Sequence, residues 1–157
     1  MPKIRIIVVD RTRSGFLKEG ESLYLGRLKK YAQVEWAEVK PAKIADEKQA
    51  EEFLAVEGER IFRRVGRQDY LVSLDRSGRQ FDSEGLALWL QSLTDRGERC
   101  VTFAIGGPLG LSQQVLERSR EVLSISELTL THEMSRLILL EQLYRAFTIL
   151  RGEKYHK

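Results

Sequence analysis

The sequence predicts an α/β fold: a mostly parallel sheet with helices on both faces, in a single domain spanning 1–157. Three observations carry this. Short apolar runs alternate with stretches of helical spacing along the whole chain. One run, RCVTFAIGG (99–107), is apolar at nearly every position, as a central strand covered on both faces must be. No repeat, low-complexity tract or linker divides the chain, and 157 residues are enough to close one core.

Taken in order, KIRIIVVD (3–10) is β-branched and reads as the first strand. FLKEGESLYLGRLKKYA (16–32) follows, with Phe16, Leu17, Leu23, Tyr24, Leu28 and Tyr31 at helical spacing. VEWAEVK (34–40) alternates apolar and polar residues, the pattern of a strand near an edge. Residues 44–65 fit a second amphipathic helix, with Ala50, Phe53, Leu54, Ile61, Phe62 and Val65 on one side. DYLVSLD (69–75) is the third strand, ended by the turn signal Ser77-Gly78. Asp82 caps a third helix that buries Leu86, Trp89, Leu90 and Leu93. After the fourth strand and the loop GGPLG, Ser112 fits an N-cap and Leu111 with Leu116 a hydrophobic staple. That short helix ends near Glu121, VLSIS (122–126) is a fifth strand, and Thr131 caps the long last helix.

The last helix is apolar around most of its circumference, through Met134, Leu137, Ile138, Leu139, Leu140, Leu143, Tyr144, Phe147, Ile149 and Leu150. Such a helix buries more than one side. Its second partner is either a neighbouring helix or another subunit.

Composition is that of an ordinary globular chain, 42% hydrophobic and 31% charged. No apolar stretch approaches the roughly 18 residues of a membrane span. Asp10 and Arg11 cut the first apolar run short, which favours a strand over a signal peptide. Cys100 is the only cysteine and sits in an apolar strand, so a buried thiol is expected rather than a disulfide, a nucleophile or a zinc site. The cytoplasm is the expected compartment. A net charge of +3 permits a polyanionic partner without requiring one.

In open α/β sheets ligands bind beyond the carboxyl ends of the strands, which marks the loops after Asp75, at Gly106–Gly110 and after Ser126. IGGPLG lets a ligand approach backbone, but it is neither a dinucleotide fingerprint nor a P-loop; it is a ligand loop or a simple turn. SISELTLTHEMSR is odder, because Leu128 and Leu130 interrupt what should be a polar turn. Either those leucines tuck against the core, or the segment forms a socket whose backbone groups bond the edge of an adenine-like ring. His132 falls in the first turn of the last helix, where a neutral imidazole is expected. A Ser-His-Asp hydrolase built on Ser126 or Ser112 lacks a nucleophile elbow. Arg136, Glu141 and Arg145 are charges set among apolar residues, with Glu141 and Arg145 at favourable i,i+4 spacing; surface pairing is the simplest account of them. Finally Arg151, Lys154, Tyr155, His156 and Lys157 form either a frayed basic tail or a contact for phosphate and a stacked base.

FAIGGPLGL, SISELTLTHEMSRLILLEQLYRA and the terminal YHK together resemble the bacterial ribosomal RNA large subunit methyltransferase H family of small SPOUT-class enzymes. The likeness spans the whole length and is strongest over 103–157. It implies a C-terminal trefoil knot, a homodimer and S-adenosylmethionine as methyl donor, with methylation of N3 of a pseudouridine in 23S rRNA of assembled ribosomes. It further implies that Leu74, Gly106, Ile125, Ser126, Glu127, Leu128, Thr129 and Leu130 hold the cofactor, and that Arg145, Tyr155 and His156 position the RNA and target base. His156 is the candidate base for the N3 proton, with direct loss to solvent as the alternative. Two positions depart from the family: Thr131 and Lys154 stand where proline is common. Thr131 should preserve the helix start and Lys154 should loosen the tail. The rival reading is a non-catalytic ribosome-binding factor that retains a cofactor socket.

Overall fold

The computed structural model describes residues 1–43 and 46–157. Five strands, β1 (Lys3–Val9), β2 (Gln33–Val39), β3 (Tyr70–Arg79), β4 (Cys100–Ile105) and β5 (Glu121–Leu123), form one sheet in the order β2-β1-β4-β3-β5. All four pairings are parallel. The all-apolar β4 lies in the middle and is buried at every position, while the alternating β2 lies at an edge.

Period-two alternation sorts the strand side chains between two cores. On one face, Ile4, Ile6 and Val8 of β1 and Val101, Phe103 and Ile105 of β4 meet α1 (Gly15–Leu28), α3 (Ser83–Asp95) and α5 (His132–Leu150). On the other, Ile7, Val9, Leu71 and Ala104 meet Ile61 of α2 (Ala50–Phe62) and Val115 of α4 (Gln113–Arg118). Gly58 brings α2 so close to the start of α4 that a Cβ there would stand 2.9 Å from Ser112 Oγ. The three expected caps are made: Asp82 accepts from Gly85 N, Ser112 from Val115 N and Thr131 from Met134 N. Leu111 and Leu116 sit in one cluster, and Cys100 is buried.

Several boundaries differ from expectation. The first helix stops at Leu28 rather than near residue 32, because Tyr31 and Ala32 turn back to bond the Leu28 carbonyl and Tyr31 inserts into the core. Of the helix expected over 44–65, Ile44 and Ala45 lie outside the described residues; a 3-10 turn at Glu47–Gln49 precedes α2, which ends at Phe62. Ser77-Gly78 does not end the third strand. Leu74 and Arg79 both pair with Leu123, and the intervening residues bulge outward around a turn in which Asp75 Oδ2 accepts from Ser77 N at 3.0 Å. Glycine is required there, since a Cβ on Gly78 would lie 2.5 Å from the Val122 carbonyl oxygen. The short helix ends at Arg118, not Glu121, and β5 covers 121–123 rather than 122–126, which frees Ser124 onward for the connection.

α5 is wedged against the sheet between α1 and α3. That accounts for much of its apolar circumference, though Met134 remains exposed. Surface pairing fails for Arg136, whose side chain is 0% exposed. It donates to the Val9 carbonyl at 2.6 Å and to Thr12 Oγ1 at 2.9 Å, and Thr12 in turn donates to Glu21 at 2.7 Å. A buried cation therefore ties the end of β1 and the start of α1 to α5. The tail is not frayed either. Glu153 accepts from Tyr31 OH at 2.6 Å, and Tyr155 and His156 are half-buried against α5.

Candidate functional site

A cleft of about 300 Å³ opens at the carboxyl ends of β3 and β4. Leu74, Asp75 and Arg76 form one wall, Ile105 to Gly110 the floor, and the connection after β5 the other wall, with His132 and Ser135 from the start of α5. The three loops marked from the sequence thus meet at one place.

The floor is backbone brought close to backbone. A Cβ on Gly106 would stand 2.2 Å from the Gly110 carbonyl oxygen, and Gly110 N donates to the Gly107 carbonyl at 3.0 Å with Gly110 at φ +81°. In the connection, Ser126 Oγ accepts from Leu128 N at 2.9 Å and Ser124 Oγ donates to the Ser126 carbonyl at 3.1 Å. Serine hydroxyls therefore stand in for the lost strand ladder. Leu128 is 74% exposed, so it is not tucked against the core; it borders the cleft, as does the half-buried Leu130. Arg76 donates to Thr129 Oγ1 at 2.7 Å, joining the β3 bulge to the connection.

Of the residues assigned to a cofactor by resemblance, Leu74, Gly106, Ile125, Ser126, Leu128 and Leu130 line this cleft, whereas Glu127 and Thr129 do not. Asp75 and Arg76, at the loop marked after Asp75, line it too, and Ser135 does so without having been singled out. The β3 wall was foreshadowed by the loop expected after Asp75 and by Leu74. Burial, and then the neighbouring Arg136 charge, depress the His132 pKa below its ordinary value, which keeps the imidazole neutral at the cleft.

A second cluster sits farther along α5. Arg145, Tyr155 and His156 come together around Glu141. Arg145 donates to Glu141 Oε1 through Nε at 3.1 Å and through its second terminal nitrogen at 2.5 Å. Tyr155 OH donates to the same oxygen at 3.1 Å and lies 3.2 Å from Tyr24 OH. The Tyr155 ring packs edge-on against Tyr144 at 4.7 Å, with the Arg145 guanidinium 4.8 Å from its centroid. Burial, then the Tyr24 hydroxyl and the Glu141 charge, hold the Tyr155 phenol well above its ordinary pKa, so it stays protonated. The remaining Arg145 nitrogen donates to His156 Nδ1 at 3.2 Å. A guanidinium has no acceptor, so Nδ1 must accept and a neutral His156 carries its proton on Nε2, which faces Glu84 at 3.8 Å. Tyr24 and Glu84 come from α1 and α3, and no local pattern marks them.

Residues 2–156 match the family model described as "Predicted SPOUT methyltransferase". The chain is 45% identical to ribosomal RNA large subunit methyltransferase H of Halothermothrix orenii, over 99% of each chain. It is 43% identical to the protein of that name from Bacillus cereus (98% of this chain, 99% of the other), and 40% identical to one from Streptococcus thermophilus (99% of each). Among solved structures, a probable methylase family protein from Haemophilus influenzae superposes with a TM-score of 0.56 at 16% identity, covering 98% of this chain and 70% of that one. A probable methyltransferase from Bordetella pertussis gives 0.57 at 15%, covering 92% and 96%. These two share the fold. Sheet, sequence and full-length relatives agree: the chain belongs to the SPOUT methyltransferase family, with the proteins called ribosomal RNA large subunit methyltransferase H.

Proposed function

We propose that this protein uses S-adenosylmethionine to methylate N3 of a pseudouridine in 23S rRNA of assembled ribosomes, in the cytoplasm, as a homodimer whose C-terminal half forms a trefoil knot. The observation that carries the reading is the cleft between the Gly106 floor and the 125–130 connection, an exposed leucine and close-packed backbone where a turn should be polar. The RNA class comes from the names of the relatives.

The residues present suit this cofactor. Adenine needs apolar faces and edge hydrogen bonds, which Ile125, Leu128, Leu130 and the nearby backbone offer; Gly106 leaves no Cβ in the floor. When bound, S-adenosylmethionine supplies an electrophilic methyl on a sulfonium, so the chain's task is alignment and exclusion of water rather than activation. A neutral His132 at the cleft adds no cation to repel the sulfonium.

The tail cluster supplies the RNA side. From Ser135 at the cleft to Arg145 is ten residues of helix, about 15 Å. That distance favours delivery of the tail to the cleft of a second copy. So does the apolar surface of Phe16 (71% exposed), Leu23 and Met134, since Phe16 and Leu23 share a stripe of α1. Arg145, Tyr155 and His156 then orient the target nucleotide. His156 binds rather than acts as base in this arrangement, because Arg145 occupies its Nδ1 lone pair and Nε2 holds the proton. The N3 proton leaves to solvent, with the guanidinium beside the base favouring the anion.

The test is transfer of labelled methyl from S-adenosylmethionine to ribosomes from a strain lacking the enzyme, with nucleoside mapping. Label in one 23S pseudouridine is expected. Cofactor binding without label would favour the binding-factor reading, and no binding would overturn the assignment of the cleft.

A further inference from the structure

Glu141 is an anion in the part of the molecule that the proposed function gives to an anionic substrate. Its neighbours are themselves charged or polar: Arg145 and Tyr155 share Oε1, while Gln142 donates to Oε2 at 2.7 Å. A surface i,i+4 pair needs only Arg145. Here the same oxygen also takes the hydroxyl of a tail residue fourteen positions away.

We infer that Glu141 is the positioning residue of the substrate-facing tail: its carboxylate fixes the Arg145 guanidinium and the Tyr155 hydroxyl together, and through Arg145 sets the tautomer of His156. The geometry is closed. With Nε and one terminal nitrogen of Arg145 held on Oε1, its plane is set, and the free terminal nitrogen points at His156 Nδ1. With its hydroxyl on Oε1 and its ring against Tyr144, Tyr155 is held at both ends. One carboxylate thus orders three side chains on two segments that sequence separation would otherwise leave independent. The inference rests on the reading that these three residues meet the target nucleotide, but its structural half does not.

Charge and positioning make opposite predictions for Glu141→Gln. If the carboxylate merely adds negative charge, removing it lowers KM for ribosomes and leaves kcat unchanged. A positioning role predicts that kcat falls about 100-fold, the cost of roughly 1 Å of misplacement, with KM unchanged or lower. Cofactor binding by calorimetry stays at the wild-type value, since the cleft lies elsewhere on α5. Tyr24→Phe, which removes only the second partner of the Tyr155 hydroxyl, should give a smaller fall and serves if the glutamine variant folds poorly.

The readout independent of activity is nitrogen NMR of protein labelled at histidine. Wild-type His156 should show the proton on Nε2 and an accepting Nδ1, and Glu141→Gln should give a mixture of tautomers. A wild-type kcat in Glu141→Gln, or an unchanged His156 spectrum, would overturn the inference. Should the wild-type protein itself fail to methylate ribosomes, the rRNA reading falls, and the spectra still decide whether Glu141 orders the tail.

Discussion

Gly106→Ala tests the cleft most directly, because the structure sets the size of the clash. The added methyl would lie 2.2 Å from the Gly110 carbonyl oxygen and 2.4 Å from its carbon. Both are backbone atoms, so no rotamer relieves the contact and the loop must open by about 1 Å to regain ordinary van der Waals distance. Opening strains or breaks the Gly110 N to Gly107 carbonyl bond and the bridge between those residues. Overpacking of this kind costs about 1–3 kcal/mol, and a lost hydrogen bond adds about 1. A net of about 2–4 kcal/mol corresponds to a fall in Tm of roughly 6–12 °C for a chain of this size. Cofactor affinity should fall at least about tenfold, since an open floor no longer presents the same backbone groups. Gly107→Ala is the control: its Cβ would meet only the Val9 side chain, Cγ1 at 3.5 Å and Cβ at 3.8 Å, both ordinary contacts. Thermal melts without ligand and calorimetric titration with S-adenosylmethionine check both variants. If Gly106→Ala melts with the wild type and binds the cofactor equally well, the close-packed floor is not what shapes the site.

Three further perturbations separate structural from functional groups. Arg136→Met removes a fully buried cation from Val9, Thr12 and the nearby Glu21 carboxylate, and should cost about 3–5 kcal/mol in urea denaturation, less near pH 4 where Glu21 is neutral. The depressed His132 pKa means the unfolded chain binds more protons between the lowered value and 6.5, so this residue's share of stability is present above 6.5 and lost as pH falls through the folded value. His132→Gln should therefore flatten the acid side of a stability profile measured between pH 7 and 5; an unchanged slope would refute the burial account. His156→Ala should raise KM for ribosomes while keeping kcat within about threefold, whereas a loss of about 100-fold or more in kcat at saturation would restore the base role.

Strand order aside, the layout was legible because each element obeys a local rule. The apolar β4 announced its central place, and Asp82, Ser112 and Thr131 capped where expected. What failed were signals that depend on a distant partner. Ser77-Gly78 reads as a stop, yet Leu123 pairs with both Leu74 and Arg79 on either side of it and turns the stop into a bulge that builds a cleft wall. Lys154 suggested a loose tail, but Tyr31 and Tyr24, from another helix and its end, anchor Glu153 and Tyr155. The cleft wall after β5 was readable as an anomaly, leucines in a turn, and the strand-end rule marked the loop after Asp75, although nothing local indicated that Ser135 of α5 would line the same cleft.

The two arginines of α5 show how far periodicity alone reaches. Arg136 and Arg145 are nine residues apart, about 900° of helix at 100° per residue, and so face opposite sides. Where the sheet meets the side that carries one of them, the other is turned away from it. Glu141 lies about 40° from Arg145 and about 140° from Arg136, so it had to side with Arg145. The fold then settles which face is which: Leu139, Leu140, Leu143 and Ala146 are fully buried on the side of Arg136. Hence the inner arginine stabilises the junction of β1, α1 and α5, while the outer one, held by Glu141, is available to the tail. Exchanging the charge at either site should accordingly produce different defects, a loss of stability at Arg136 and a loss of turnover without one at Arg145.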